Sequence, residues 1–380
     1  MERSLSVIVK PTLRCGMGCR HCYHSPEELS SDACISFEKL EKLFRITSRD
    51  YESVWFIWHG GEPLGLPFSF WKKVVELQGR YFSENRVGNT IQTNGTGLNR
   101  RMLDFCNKRN INVGISHEGP CDGILRSDGD DVERLIEKMS NGGRVFSVSS
   151  TVPAGAESRQ KEIFDHFRSV GAAVSFTPVI PAGACAAHPE FVPDTDAYIK
   201  SSIETFDAWL NDSKAEMPLS PHLLYVMSAL GDPHPSDCAH NSCLTRWLCV
   251  YPNGDLYPCG KACPSNLRIG NLDDFESVPD MFRTEGFANI LRGTIARREK
   301  CKSCEIFDYC QGGCSIDACW EGSMEDNGNP SCRIFKEVFT HVKAEVDAIV
   351  NEEKDLSKYN KYVRDAVLRK ITNPIMGSPQ

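Results

Sequence analysis

Cys15-Gly16-Met17-Gly18-Cys19-Arg20-His21-Cys22 sets three cysteines at C-x3-C-x2-C spacing on one short loop. The run before it, Ser4–Lys10 (SLSVIVK), alternates and then turns apolar, as a barrel strand does. Three thiolates on one loop can hold three irons of a four-iron cubane and leave the fourth iron open. Most iron–sulfur sites close with four cysteines and only pass electrons, so an open iron points to a further ligand at that position. A zinc site is the alternative, with His21 or His24 as the fourth donor.

Working outward, the next 170 or so residues repeat one theme. Strand-like segments at Ser4–Lys10, Val54–His59, Thr90–Asn94, Asn112–His117, Val145–Val152 and Ala173–Ile180 alternate with helix-patterned ones. The helical segments are Ser36–Arg49, Ser69–Phe82, Asn99–Lys108, Asp130–Ser140 and Ser158–Val170, with Ser36 reading as an N-cap. Strand–helix alternation predicts a parallel sheet with right-handed crossovers, and six units are too few to close an eight-fold barrel. The fold class expected is therefore α/β: a partial (β/α)6 TIM barrel. Ligands in such sheets bind at the carboxyl ends of the strands, where every motif below falls.

The chain has 380 residues, of which 41% are hydrophobic and 25% charged, an ordinary globular composition. Its net charge of −8 and lack of a long basic run argue against a nucleic-acid partner. No apolar stretch reaches membrane-spanning length and the N-terminal run is too short for a signal peptide, so a cytoplasmic protein without a membrane partner is expected. Eighteen cysteines in that compartment indicate metal rather than disulfides, and an oxygen-poor setting. Eleven of them lie between Cys238 and Cys332. Three units are expected: residues 1–235 as the barrel, 236–340 as a metal-stapled domain with little core of its own, and 341–380 as a C-terminal helix and polar tail.

The motifs together resemble the radical S-adenosylmethionine (SAM) superfamily. There the open iron of a [4Fe-4S] cluster, here held by Cys15, Cys19 and Cys22, is chelated by the amino and carboxylate groups of SAM. His59-Gly60-Gly61-Glu62-Pro63 follows the second strand and resembles the family's GGEP motif, in which Gly60, Gly61 and Glu62 bind the SAM amino group. Gln92-Thr93-Asn94-Gly95 resembles the QTNG stretch, bringing Gln92 and Asn94 to the cofactor. Ser116, in a Ser-His-Glu-Gly-Pro stretch where relatives carry S-x-D-G-P, would touch the SAM carboxylate or ribose, and Arg126 would pair with the carboxylate. Ile180 would pack on adenine, and His21 in the cluster loop completes the cofactor-binding set. An ST-turn for Ser116 and core packing for Ile180 are the structural alternatives.

Downstream, Cys301-x2-Cys304-x5-Cys310-x3-Cys314 and Cys332, preceded by Cys243-x10-Gly254-x4-Cys259, resemble the SPASM pattern. The resemblance implies two further [4Fe-4S] clusters, the nearer held by Cys243, Cys249, Cys259 and Cys314, the farther by Cys301, Cys304, Cys310 and Cys332. That makes three clusters plus SAM, with a flavodoxin or ferredoxin-type electron donor. The stretches IVKP, CGMGCRHC, GGEP, QTNGT and PNGDLYPC are similar to those of anaerobic sulfatase-maturating enzymes and ribosomal-peptide maturases. The implied reaction begins with reductive cleavage of SAM to a 5′-deoxyadenosyl radical, which takes a hydrogen from a precursor peptide before a cross-link (C–C, C–S or C–O) closes. Formylglycine formation, or dehydrogenation of a small molecule such as an aminoglycoside, are the alternatives. One departure weighs against sulfatase maturation: those enzymes carry a basic Asp after the third cysteine of the near cluster, and here Gly260 follows Cys259. Glu118, His117 and Tyr257 are the proton acceptors the sequence offers instead.

Overall fold

The computed structural model describes residues 3–126, 129–141, 146–231, 242–351 and 355–372. Its centre is a sheet whose first six strands are β1 (Ser4–Thr12), β2 (Ser53–Gly60), β3 (Val87–Thr93), β4 (Ile111–Ser116), β5 (Ser147–Val152) and β6 (Ala173–Pro178). A two-residue strand, β7 (Leu219–Ser220), extends the far edge, and each strand from β2 to β7 pairs in parallel with the one before it. This is the α/β partial barrel expected. Val145, expected to open β5, lies outside the described residues.

The helices form where the sequence gives them ends. Ser36 caps the helix Phe37–Asp50 by accepting from Lys39 N at 3.2 Å, and Asn99 caps Arg100–Lys108 by accepting from Met102 N at 3.1 Å. Each turns an apolar stripe inward: Leu40, Leu43, Phe44 and Thr47 of the first are all buried. The alternate residues of β1 divide in the same way. Val7 and Val9 are fully buried beneath the helices, while Ile8 and Lys10 face the barrel interior with the site residues described below.

On the near edge the sheet does not stop at the expected boundary of 235/236. Strand β8 (Trp247–Val250) pairs in parallel with β1, setting Cys249 opposite Ile8. The antiparallel strands β9 (Asp255–Tyr257) and β10 (Gly270–Asn271) follow, giving the order β10-β9-β8-β1-β2-β3-β4-β5-β6-β7. The cysteine-rich segment thus borrows the barrel's edge strand as a template, which satisfies β1's outer backbone groups. The polar tail expected after 357 also contains the helix Lys361–Thr372, with Val363, Ala366 and Val367 buried. The helix Pro330–Asn351 buries Phe335, Val338, Phe339, Val342, Val346 and Ile349 along one stripe. Phe339 meets Tyr309 of the cysteine-rich segment at 4.8 Å between ring centroids, and Phe335 meets Tyr225 of the barrel at 5.1 Å, so this helix ties the two together. Among the described residues no helix is long and apolar enough to cross a membrane.

Under that helix His222 is fully buried, its ring stacked on Phe206 and its Nε2 3.1 Å from the Ser202 carbonyl. Burial lowers its pKa to about 4. The folded protein therefore holds His222 neutral, while the unfolded chain takes up a proton below about pH 6.5. Stability from this group is present above that pH and lost as pH falls toward 4, by about 3 kcal/mol. Urea unfolding across pH 7 to 4 should show that loss, and His222→Gln should flatten the profile. Parallel profiles for the two proteins would refute the assignment.

Candidate functional site

The mouth of the barrel holds a cavity of about 270 Å³ at the carboxyl ends of β1 to β6. Cys15, Cys19 and Cys22 all border it, together with His21, Gly60, Gly61, Gln92, Asn94, Ser116, Arg126 and Ile180. The loop is fixed there by backbone bonds from outside itself: Cys15 N donates to Leu29 O at 3.1 Å and Arg20 N to Leu125 O at 3.1 Å. The Asn94 amide donates to Cys15 Sγ at 3.7 Å, a contact that favours thiolate. Burial pushes the Cys19 thiol up to about 12, so an empty loop carries protons that bound metal displaces.

Gly60-Gly61 reaches the cavity because nothing larger fits. A Cβ on Gly61 would stand 2.2 Å from Leu13 O and 2.4 Å from Arg14 O, and Gly60 holds φ of +117°. This approach lets Gly61 N donate to Thr12 O at 3.0 Å and Glu62 N to Arg14 O at 2.8 Å, which ties the motif to the chain entering the cysteine loop. Glu62 does not line this cavity, but borders an adjoining pocket together with Cys15 and Asn94. It is 6% exposed and accepts from Thr93 Oγ1 at 2.6 Å, Asn94 N at 2.7 Å and Leu64 N at 2.9 Å. The sequence suggested an anion aimed at an ammonium; here the anion braces the ends of β2 and β3, and the glycine backbone is what borders the cavity.

The next departure concerns charge. Arg126 borders the cavity, but its Nε and Nη2 form a bidentate pair with Glu118 at 2.7 and 2.9 Å. Glu118 is wholly buried behind the wall and also accepts from Thr151 N at 3.2 Å. His117 is buried against Phe167 with its Nδ1 accepting from Gly119 N at 2.9 Å, and Tyr257 lies on β9 beside Tyr251. None of these three residues, the proton acceptors suggested by the sequence, borders the cavity. Gln92 Nε2 donates to Ser116 Oγ at 2.9 Å, joining the two expected contacts into one polar edge. His21 Nδ1 and His24 Nε2 are buried there without a hydrogen-bond partner among the described residues, as polar atoms awaiting a ligand would be.

A second cavity, of about 300 Å³, shares Thr177, Pro178, Ile180 and Lys261 with the first. Tyr198, Tyr225 and Phe335 form its apolar wall, and Cys310, Cys314 and Cys332 border its far side. At the junction Lys261 Nζ donates to both oxygens of Asp317 at 2.6 and 2.7 Å. Lys261 of this charged pair, which the sequence did not single out, borders both cavities, and Asp317 borders the second.

The downstream cysteines group in two sets. Burial, with Cys304 and Cys332 close by, raises the thiols of Cys301 and Cys310, that of Cys310 to about 12. Gln311, Gly312 and Gly313 all hold positive φ, a reversal that brings Cys314 back beside Cys310. Arg297, 1% exposed, donates to Gly312 O at 2.7 Å, to Gly313 O at 3.2 Å, to Ser315 Oγ at 2.9 Å and to Met324 O. In the other set Cys249 and Cys259 lie near Cys263, whose Sγ is 3.5 Å from Cys259 O. Cys263 was left unassigned by the spacing pattern, although Cys259-x3-Cys263 was there to read. Cys243 sits half-buried in the turn Ser242–Thr245, and Cys238 lies outside the described residues. Gly260 packs so tightly on β1 that a Cβ there would stand 2.5 Å from Ile8 Cδ1 and 2.8 Å from its Cγ2.

The SPASM model, an iron–sulfur cluster-binding domain, matches residues 238–305. The cysteine-type anaerobic sulfatase-maturating enzyme of Clostridium perfringens is 26% identical over 376 residues, 92% of this chain and 99% of its own. The serine-type enzyme of Bacteroides thetaiotaomicron is 24% identical over 92% of each chain. Native anSMEcpe with bound AdoMet and Cp18Cys peptide superposes with a TM-score of 0.79 at 23% identity, covering 92% of this chain and all of that one. Together these findings support a radical SAM enzyme of the SPASM class.

As such the enzyme works with iron–sulfur clusters and SAM. The first cavity fits that pair: three cysteines on one side, and on the other a glycine backbone, a Gln–Ser polar edge and the apolar Ile180. When bound, SAM and its cluster supply a radical able to take hydrogen from an unactivated carbon. The enzyme's own residues orient the reactants and keep the reacting centre from bulk water.

Proposed function

We propose that this enzyme is a maturase of ribosomally made precursor peptides that forms an intramolecular cross-link, and that it does not make formylglycine. The observation that carries this reading is Gly260 against Ile8: the position following Cys259 offers no base, and any side chain there would press on Ile8. Loss of a proton from the substrate is still needed, and it goes to solvent or to a group other than residue 260.

In this reading Cys15, Cys19 and Cys22 hold the SAM cluster, with Gly60, Gly61, Gln92, Asn94, Ser116, Ile180 and His21 around SAM. Glu62 and Arg126 act one step removed, Glu62 by bracing the GGEP backbone and Arg126 through its pair with Glu118. Two auxiliary clusters accept the surplus electron, the farther on Cys301, Cys304, Cys310 and Cys332, the nearer on Cys243, Cys249, Cys259 and Cys314. A flavodoxin or ferredoxin-type protein delivers the first electron. The aromatic wall of the second cavity suits the apolar side chains of a peptide, whose reacting residue passes Lys261–Asp317 to reach the first. Residues 1–235, 236–340 and 341–380 remain useful functional divisions, although one sheet spans the first two.

The test is co-expression with a short precursor peptide encoded beside the gene, followed by mass analysis. A loss of two hydrogens with new connectivity in fragmentation is expected. The reconstituted enzyme is then given a sulfatase-type peptide with a C-x-P-x-R core, and no formylglycine is expected. Formylglycine from the wild-type protein would overturn this reading in favour of sulfatase maturation, the activity by which the two relatives above are named.

A further inference from the structure

Lys10 is fully buried on the inner face of β1, two residues along from Ile8. Its ammonium lies 3.0 Å from Tyr251 Oη and 3.3 Å from Tyr23 Oη, and stands over both rings, 4.4 and 4.8 Å from their centroids. No described carboxylate lies within 4.0 Å of it. A buried ammonium is costly unless an opposite charge offsets it, and two phenols and their ring faces are only part of that compensation. The groups that do carry or gain negative charge nearby are cysteines. Tyr23 directly follows Cys22, whose thiol senses Lys10 as a nearby positive charge. Tyr251 lies two residues past Cys249, which faces Ile8 across the β1–β8 register. Burial works to lower the Lys10 pKa, yet Cys249 and Tyr251 outweigh it and hold it above the ordinary lysine value. The histidines nearby, His59 and His24, are both lowered by burial first and by Lys10 in part, so they add no competing positive charge.

We infer that Lys10 is a fixed cation shared by two iron–sulfur sites, boxed by Tyr23 and Tyr251, which offsets the charge of cysteine-bound clusters on either side and raises their reduction potentials. This rests on the ligand sets proposed above. A cluster gains negative charge on reduction, so a cation held nearby in a low-dielectric interior favours the reduced state. Lys10 is a positioning residue: it touches neither substrate nor the reacting atoms, and it acts through the potentials of the clusters. The geometry also explains why a lysine rather than an apolar residue points inward from β1 where that strand meets both β2 and β8.

The experiment uses the full chain, reconstituted anaerobically, with Lys10→Met and Lys10→Arg beside the wild type. Midpoint potentials are read by electron paramagnetic resonance during reductive titration, and iron is counted in each sample. In Lys10→Met the clusters at the Cys22 and Cys249 sides should shift to more negative potential at wild-type iron content, while Lys10→Arg should stay near the wild type. Unchanged potentials with full iron in Lys10→Met would overturn the inference and leave Lys10 a packing residue. If Lys10→Met yields no loaded protein while Lys10→Arg does, the charge is needed to assemble the sites, which supports the inference. If both fail, shape rather than charge is decisive and the inference falls. A wild-type protein without a cluster at the Cys249–Cys259 side would instead refute the ligand assignment, which the iron count detects separately.

Discussion

Replacing Cys15, Cys19 and Cys22 together with alanine is expected to abolish SAM cleavage while leaving most of the bound iron in place. The three thiols border one cavity, and their loop is held from outside by Leu29 and Leu125 through backbone bonds that alanine keeps. The barrel should therefore fold without them. Four-iron clusters on three cysteine sets amount to about twelve irons, so the variant should keep about eight. Formation of 5′-deoxyadenosine under strong reductant should drop to background, because no other described cysteine borders that cavity. Cleavage at even a few per cent of the wild-type rate would show that SAM is activated elsewhere. Loss of all iron would show that the downstream sets depend on this loop for assembly.

The second large effect is expected from Arg297→Met. This side chain is among the largest fully buried ones, and its guanidinium serves two carbonyls in the turn joining Cys310 to Cys314, the Ser315 hydroxyl just past it and the Met324 carbonyl. Methionine matches much of its volume but leaves those acceptors unpaired, and each buried unpaired group costs about 1–3 kcal/mol. Removing the cation also removes the positive charge that faces Cys314, Cys301, Cys310 and Cys332. A loss of about 3–5 kcal/mol in stability is expected, with the farther cluster released first. Thermal unfolding of the loaded protein, with iron release followed in parallel, measures both. Arg297→Lys should recover only part, since a lysine lacks the planar fork that serves several acceptors at once. Wild-type stability and iron retention in Arg297→Met would refute this account.

Legibility in the sequence followed the range of the interactions concerned. Ser36 caps the helix it was expected to cap because capping acts within three residues. The six strands were legible because period-two burial is written directly into each segment. Arg126 borders the cavity as expected, but its bidentate pair with the buried Glu118 was not legible in the sequence. Their pairing depends on where residues 118 and 126 meet Thr151 across the sheet, which no local pattern encodes. Cys263 falls outside the counted spacing, so that pattern did not tie it to Cys249 and Cys259.

By itself the sequence determined the chemistry available to this protein. The spacing of Cys15, Cys19 and Cys22 after a strand, the glycines of GGEP and the ordered downstream cysteines are local facts, fixed by covalent chain length and by which residue types bind metal. Only the tertiary structure decided what surrounds that chemistry. It joined β8 to β1, bonded Glu62 to Thr93 and Asn94 at the end of β3, set position 260 against Ile8 and enclosed Lys10 between two tyrosines 228 residues apart in the chain. Those outcomes depend on strand register and close packing, where a shift of one residue would send each side chain to the opposite face.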